Sequence, residues 1–125
     1  MKAILRSGFL VLVLMLAPAC SENAGPYENG VAAYQRGDYA SALKFWRPLA
    51  AQGNAYAQYN LGFMYDEGRG VPQDFVQAHM WFELAAAQGH EEAPKGRDLV
   101  ASQMTPDQNV EAQRMAREWM AKHQQ

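Results

Sequence analysis

The sequence has little basic charge and only one cysteine. Its 125 residues include 11 lysines and arginines against 13 aspartates and glutamates, which gives a net charge of −2. Nucleic-acid binding requires a basic face, so this balance argues against a nucleic-acid partner. The single cysteine, Cys20, excludes an internal disulfide. The sequence also lacks the alternation of apolar and polar residues that is typical of strands, which argues against a β-sheet fold.

The apolar run near the start of the chain is too short to span a bilayer, which takes roughly 20 residues. This run, Phe9–Ala17, follows the basic residues Lys2 and Arg6 and leads into the small-residue site Ala17-Pro18-Ala19. The order is typical of a secretory signal peptide, so we predict that residues 1–19 are removed on export to a bacterial periplasm. The remaining chain has nine basic and 13 acidic residues, a net charge of −4. We expect no transmembrane helix in it.

The cysteine comes directly after the predicted cleavage site. The run Leu16–Cys20 resembles a bacterial lipoprotein signal, although Ala17 stands where the lipobox usually has leucine. The resemblance implies a lipid on Cys20 and, because Ser21 follows it, an outer-membrane location. Ordinary signal-peptidase cleavage would cut the same bond, so a free soluble periplasmic protein remains an alternative. Residues 20–26 are mostly small and polar and are predicted to form a tether.

The rest of the chain favours helix, because alanine, leucine, glutamine and methionine are abundant. Glycine and proline divide it into six segments, at about 27–36, 38–52, 54–67, 74–88, 91–103 and 106–122. Short links make consecutive helices antiparallel neighbours. We therefore predict an all-α fold of about three antiparallel helical hairpins.

Several segment boundaries have a local chemical cause. Asp38 and Asp74 stand where a carboxylate can accept hydrogen bonds from the free N–H groups of a helix start. Gly53 and Gly89 stand where a helix ends with a left-handed residue. The run Thr105–Gln108 has the pattern of a capping box with proline at the first helical position.

The chain also repeats itself with a shift of 36 residues. Asp38-Tyr39 falls on Asp74-Phe75, and the Ala-Ala-Gln-Gly run at 50–53 falls on the same four residues at 86–89. Periods of this size are typical of stacked supersecondary units, each of which cannot bury its apolar face alone.

The second unit contains three motifs in order: the Leu-Gly-x-x-Tyr run at Leu61–Tyr65, the Gly-x-Gly-Val-Pro-x-Asp loop at Gly68–Asp74 and the Ala-Ala-x-x-Gly end at Ala85–Gly89. With these motifs it closely resembles a Sel1-like repeat, a relative of the tetratricopeptide repeat. The resemblance implies a short right-handed α-solenoid. It also implies packing roles for the signature residues Leu61, Gly62, Tyr65, Ala78, Phe82 and Ala86.

Three units of one repeat domain, residues 27–122, follow from this resemblance. Residues 54–89 form the full repeat. Residues 27–53 form a degenerate repeat, which lacks the five-residue insertion Arg69–Gln73. Residues 90–122 form a C-terminal capping hairpin, since terminal units present a polar outer face.

The resemblance also implies where a partner would bind. In stacked hairpins of this kind, the first helix of each pair lines the concave face. On this basis Tyr56, Tyr59 and Phe63 lie on that face, at helical spacings of three and four. Aromatic residues are the usual energetic anchors of an interface. An alternative is that at least one of these rings packs against a neighbouring hairpin.

Other candidates surround these aromatic residues. Asn60 resembles the amide that holds a peptide backbone in some tetratricopeptide domains. The basic clamp that accompanies this amide is missing, because Glu28 and Glu92 are acidic, so capture of a C-terminal carboxylate is not expected. The candidate partner-binding residues are Tyr56, Tyr59, Phe63, Asn60, Glu28, Gln35 and Lys95, with Ala32 and Leu99 beside them.

Signals for catalysis or metal binding are weak. None of His79, His90 and His123 stands at a ligand spacing from another metal-binding residue type, so we predict no metal site. We expect His79 on the exposed side of its helix. The pair Glu91-Glu92 is explained by favourable placement near a helix dipole. We predict no catalytic residue and no cofactor.

These observations favour a non-enzymatic protein–protein interaction module that binds a protein or peptide of the bacterial envelope on its concave face. A peptidoglycan-fragment binder or a hydrolase of cell-wall compounds or β-lactams is the alternative. Family members linked to that chemistry carry regular cysteine pairs, which this chain lacks. A third interpretation is a structural piece of a larger assembly.

The lipoprotein prediction is tested by Cys20→Ala. Loss of the lipid should move the protein from the membrane fraction to the soluble fraction, because a lipid chain supplies membrane affinity. Immunoblotting of both fractions measures the change, and unchanged fractionation would contradict lipidation of Cys20.

Overall fold

The structure is a computed structural model, and it describes residues 24–123. This part of the chain folds into α1 (Pro26–Gln35), α2 (Tyr39–Ala51), α3 (Ala55–Glu67), α4 (Phe75–Ala87), α5 (Ala93–Ala101) and α6 (Pro106–His123), and these residues contain no strand. The all-α prediction is confirmed. The predicted signal peptide and Cys20 lie outside the described residues and stay predictions.

The predicted helix boundaries are confirmed at the caps. The Asp38 carboxylate accepts a hydrogen bond from the Ser41 N–H at 3.2 Å, and the Asp74 carboxylate accepts one from the Gln77 N–H at 3.1 Å. These bonds satisfy N–H groups that a helix start leaves free. Gly53 has a φ of 91°, a conformation that disfavours any side chain.

The predicted capping box before α6 is also present. Thr105 and Gln108 exchange two hydrogen bonds: the Gln108 N–H donates to Thr105 Oγ1 at 3.2 Å, and the Thr105 N–H donates to Gln108 Oε1 at 2.9 Å. This reciprocal pair starts the longest of the described helices.

The helices stack as pairs along the chain. The helices α1 and α2 pack together, α3 and α4 pack together, and α2 also contacts α3. The third pair is arranged differently, because α5 and α6 each pack mainly on α4. As a result α4 is covered by three helices, and α3 also contacts α5.

Small residues and aromatic rings fill the core between the pairs. Trp46 is buried among residues of α1, α2 and α3, and its Nε1–H donates to the Tyr27 carbonyl at 3.1 Å. Several alanines in these helices are fully buried, so their backbones approach closely. Because the core crosses the boundary between the first and second pairs, each pair buries apolar surface that it could not bury alone.

Two glycines allow aromatic rings to lie directly on a helix backbone. A Cβ atom on Gly62 would lie 2.7 Å from Phe82 Cδ1, inside van der Waals contact, and a Cβ atom on Gly30 would overlap the Trp46 ring. The predicted packing role is confirmed for Leu61, Gly62 and Phe82, which are all buried. The same holds for Ala78, whereas Tyr65 and Ala86 are partly buried.

The predicted exposure of His79 is wrong. Its side chain is only 3% exposed, because α4 contacts α3, α5 and α6 and has little free surface. Burial lowers the pKa of His79, and the charges of Glu83, Arg97 and Asp98 act in smaller and opposing ways. The neutral imidazole is therefore the form that fits the core.

Gly62→Leu tests the packing of α3 on α4. We expect this variant to lose about 1–3 kcal/mol of unfolding free energy or more, or to fail to fold, because the new side chain overlaps the Phe82 ring. Ala40→Leu, at an exposed position of α2, is the matched control. Thermal melting followed by circular dichroism measures both, and equal melting curves would contradict the α3–α4 register.

The buried histidine predicts a pH dependence of stability. Because the pKa of His79 is lower in the folded than in the unfolded chain, its contribution is complete above the unfolded pKa of about 6.5. It is lost as the pH falls below that value, by at most about 1.4 kcal/mol per pH unit. Urea unfolding at several pH values should show this loss. His79→Leu should flatten the dependence, while Val110→Ala, at an exposed position of α6, should leave it unchanged.

Candidate functional site

One face of α3 carries the aromatic residues that the sequence singled out. Tyr56, Tyr59, Asn60, Phe63 and Glu67 follow one another at spacings that place them on the same side of a helix. Tyr56 is 63% exposed and Phe63 is 36% exposed, although both are large apolar side chains. Tyr59 and Asn60 are half-buried. The structure therefore brings the four predicted α3 residues together.

A groove of about 490 Å³ lies along this face, between α3 and α1. Aromatic rings form most of its walls, amide groups line part of it, and one carboxylate belongs to it. The lining residues are Tyr27, Val31, Tyr34, Gln35, Trp46, Tyr59, Asn60, Phe63 and Glu67. Such a lining suits an apolar ligand that also has groups able to form hydrogen bonds.

The aromatic rings of α3 rest on the core. The Tyr59 and Phe63 rings meet edge to face with centroids 5.1 Å apart, and each lies 5.6 Å from the Phe82 ring. Phe82 is buried below them. These contacts hold the two rings in place, so a ligand would meet a preformed surface.

Tyr27 joins the first pair of helices to α3. Its hydroxyl accepts a hydrogen bond from Asn60 Nδ2 at 3.2 Å, and its ring lies 6.0 Å from the Tyr56 ring. The alternative expectation, that one aromatic residue of α3 packs against a neighbouring hairpin, therefore holds for Tyr56. The ring of Tyr56 nevertheless stays largely exposed.

The structure adds groove residues that sequence reasoning missed. On α1 these are Tyr27, Val31 and Tyr34, whereas the predicted Glu28 and Ala32 are exposed but do not line the groove. Of the predicted α1 residues only Gln35 lines the groove.

The sequence contains a pattern that could have identified the missed residues of α1, because Tyr27, Val31 and Tyr34 recur at helical spacings of four and three. The remaining missed residues are Trp46 and Glu67.

The predicted residues of α5 also lie away from the groove. Lys95 and Leu99 are exposed, and Leu99 is 60% exposed, but neither lines the groove. Their part in partner binding stays a prediction, as does that of Glu28.

An arginine from the insertion loop covers one end of the groove. Arg69 Nη1 donates a hydrogen bond to the Tyr34 hydroxyl at 2.6 Å, and Arg69 Nε lies 2.7 Å from the Glu67 carboxylate. The guanidinium carbon lies 5.7 Å and 5.6 Å from the ring centroids of Tyr34 and Tyr39, within cation–π range. The charge of Glu67 is thus matched by a cation of the chain itself.

A histidine lies at the other end of the aromatic face. The His90 ring stacks on the Tyr59 ring with centroids 4.1 Å apart, and it meets the Tyr56 ring edge to face at 5.3 Å. The Glu92 N–H donates to His90 Nδ1 at 3.3 Å, which makes that nitrogen the acceptor. A cleft of about 360 Å³ adjoins these residues, lined by Tyr56, Gly89, His90, Glu91 and Glu92.

The tyrosine between the groove and this cleft keeps its proton at physiological pH. Burial raises the pKa of Tyr59, and the negative charge of Glu92 raises it further. Its hydroxyl is therefore available as a neutral hydrogen-bonding group.

Within residues 24–123, no three or more His, Cys, Asp or Glu side chains are grouped as a metal site would require. The groove offers aromatic rings, two amides and one carboxylate. In the same part of the chain, no helix combines the length and apolar character needed to cross a membrane.

Stacked helix pairs, with a groove between the first helices of two neighbouring pairs, are typical of an α-solenoid repeat protein. The family model of the Sel1 repeat matches residues 18–54 and 55–90, which is more than half of the chain. The chain therefore belongs to the Sel1 repeat family, and the predicted resemblance is confirmed.

A solved structure supports the same fold. The chain is similar to the crystal structure of c5321, a protective antigen present in uropathogenic Escherichia coli strains, which displays an SLR fold. The TM-score is 0.70 with 27% sequence identity, over 78% of this chain and 22% of that one. The predicted solenoid of helical repeats is thus confirmed.

Curated relatives are similar over shorter stretches. Chitin synthase regulatory factor 3 of Schizosaccharomyces pombe is 44% identical over 54 residues, which are 43% of this chain and 6% of that protein. DAP3-binding cell death enhancer 1 of Rattus norvegicus is 40% identical over 42 residues, 34% of this chain and 8% of that protein. The chain thus matches less than a tenth of the length of each.

Proposed function

We propose that this protein is an exported, non-enzymatic interaction module of the bacterial envelope, and that a segment of a partner protein binds in the groove between α1 and α3. The observation that carries the proposal is the exposed aromatic surface of α3. Tyr56 and Phe63 expose large apolar area beside a groove of about 490 Å³. Exposed apolar surface of this kind marks interaction sites, and aromatic residues supply most hot spots.

The rigidity of the surface supports tight contact with a partner. Tyr59 and Phe63 are held by the buried Phe82, and Tyr59 is also held by His90. Side chains that are ordered before binding lose little conformational entropy when the partner arrives.

The amides of the groove suit the backbone of an extended peptide. Asn60 uses its Nδ2 group for Tyr27, which leaves the Oδ1 atom to accept a hydrogen bond from a peptide N–H. Gln35 has both a donor and an acceptor on an exposed part of the lining. Backbone contacts of this kind give affinity, while side-chain contacts with the rings give selectivity.

The names of the relatives support a binding or regulatory role in general, without identifying a partner for this chain. One is named a regulatory factor and another is named for binding a second protein. Export rests on the sequence of residues 1–19, and attachment to a membrane rests on Cys20. A soluble periplasmic form is the alternative to the lipoprotein.

An in-cell crosslinking pull-down tests the proposed function. The full chain is compared with a Tyr56→Ala/Phe63→Ala variant, which removes the two most exposed rings of α3. We expect at least one envelope protein to be captured by the unaltered chain and lost with the variant, since truncation of a hot-spot residue costs about 2 kcal/mol or more.

Val110→Ala is the control for this experiment, because Val110 is an exposed apolar residue of α6 that lies outside the groove. Circular dichroism verifies that each variant folds. If the same partners are captured by all three proteins, the groove is not the binding site. If no protein is captured by the unaltered chain, the interaction-module proposal fails and a small envelope molecule becomes the candidate ligand.

A further inference from the structure

The aromatic surface of α3 continues past the groove into the cleft beside His90. Tyr59 belongs to the groove and stacks on His90, and Tyr56 contacts both Tyr27 of the groove and His90 of the cleft. A peptide that follows α3 therefore passes from Phe63 to Tyr56 without leaving aromatic contact. This stretch of helix is about 10 Å long, since a helix rises about 1.5 Å per residue.

The two ends of this surface differ in charge. At the Glu67 end the chain supplies its own cation, because Arg69 pairs with Glu67 and lies over Tyr34 and Tyr39. At the Tyr56 end, the cleft is lined by Glu91 and Glu92, beside His90, and by no lysine or arginine. Across residues 24–123, neither of these two carboxylates forms an ion pair. Lys95, one turn later on α5, is not paired with them.

The placement of Glu91 and Glu92 at the start of α5 explains only in part why two unpaired carboxylates lie there. Negative charge near a helix N-terminus is favourable, yet Glu92, which precedes the first residue of α5, makes no side-chain capping bond. What distinguishes this helix start is the exposed ring of Tyr56 in the same cleft. An aromatic face beside carboxylates is the chemistry that holds a guanidinium or ammonium group, and Arg69 shows the same combination at the other end.

We propose that the partner segment is an extended peptide with apolar side chains in the groove and an arginine or lysine side chain against Tyr56, Glu91 and Glu92. This inference rests on the proposed function and names the chemistry of the partner. An extended chain spans about 3.3 Å per residue, so about three residues separate the basic side chain from the apolar side chain that contacts Phe63.

Capped synthetic peptides test the charge of the partner. The probes are about six residues long, contain leucine and phenylalanine, and carry arginine at one end or the other. The matched probes carry citrulline in place of arginine, which keeps the planar shape and three of the five N–H donors but replaces one NH2 group by a carbonyl oxygen and removes the charge. Isothermal titration calorimetry with the purified full chain measures each affinity at low and at high ionic strength.

We expect an arginine peptide to bind about fivefold more tightly than its citrulline partner at low ionic strength, and the advantage to shrink at high ionic strength. In a Glu91→Gln/Glu92→Gln variant the advantage should disappear. A Glu111→Gln/Glu118→Gln variant is the matched control, because it removes the same charge from α6, away from the cleft, and it should keep the advantage.

The outcomes separate this inference from the proposed function. Equal binding of arginine and citrulline peptides, abolished by Tyr56→Ala/Phe63→Ala, would overturn the basic partner and leave the binding groove standing. An arginine advantage that survives Glu91→Gln/Glu92→Gln would also overturn it. Absence of binding by every peptide, together with a partner captured in the crosslinking experiment, would overturn this inference alone. Absence of both would overturn the proposed function as well.

Discussion

The contact of the Phe82 ring with two glycines is the constraint on which the candidate site depends. A Cβ atom would lie 2.7 Å from this ring at Gly62 on α3 and 3.1 Å from it at Gly96 on α5. The Phe82 ring of α4 can therefore lie this close to the α3 backbone only because Gly62 has no side chain, and at Gly96 a side chain would require the ring to shift by a few tenths of an ångström. The Tyr59 and Phe63 rings pack on the outer side of the same ring. The packing of Phe82 on the two glycines therefore also sets how far the aromatic surface of α3 lies from the core.

A contact of the same kind lies within the first repeat, and a hydrogen bond then joins that repeat to the second. Trp46 lies against Gly30 and donates a hydrogen bond to the Tyr27 carbonyl, and Tyr27 in turn accepts one from Asn60. The groove thus lies at the boundary between repeats, with one wall from each. Since one core cluster joins residues of both repeats, the distance between the walls depends on how the repeats stack.

Charge distinguishes the two ends of a surface that is otherwise apolar. Arg69 belongs to the insertion that only the second repeat contains, and it neutralises Glu67 while covering Tyr34. Within residues 24–123, no lysine or arginine lines the cleft beside Tyr56 and His90, and Glu91 and Glu92 form no ion pair. A partner that lies along the groove would therefore meet matched charge at one end and unmatched negative charge at the other, which gives the binding surface a direction.

The sequence by itself determined the helices, their boundaries and the repeat, because these depend on local chemistry. Asp38, Asp74 and the Thr105–Gln108 box cap helices through bonds between residues three apart, and the aromatic face of α3 follows from helical spacing. Only the tertiary structure decided which side of α1 meets α3, and it selected Tyr27 rather than Glu28. It also decided that three helices cover α4 and bury His79. These outcomes depend on how helices cross, and crossing is set by contacts between residues far apart in the chain.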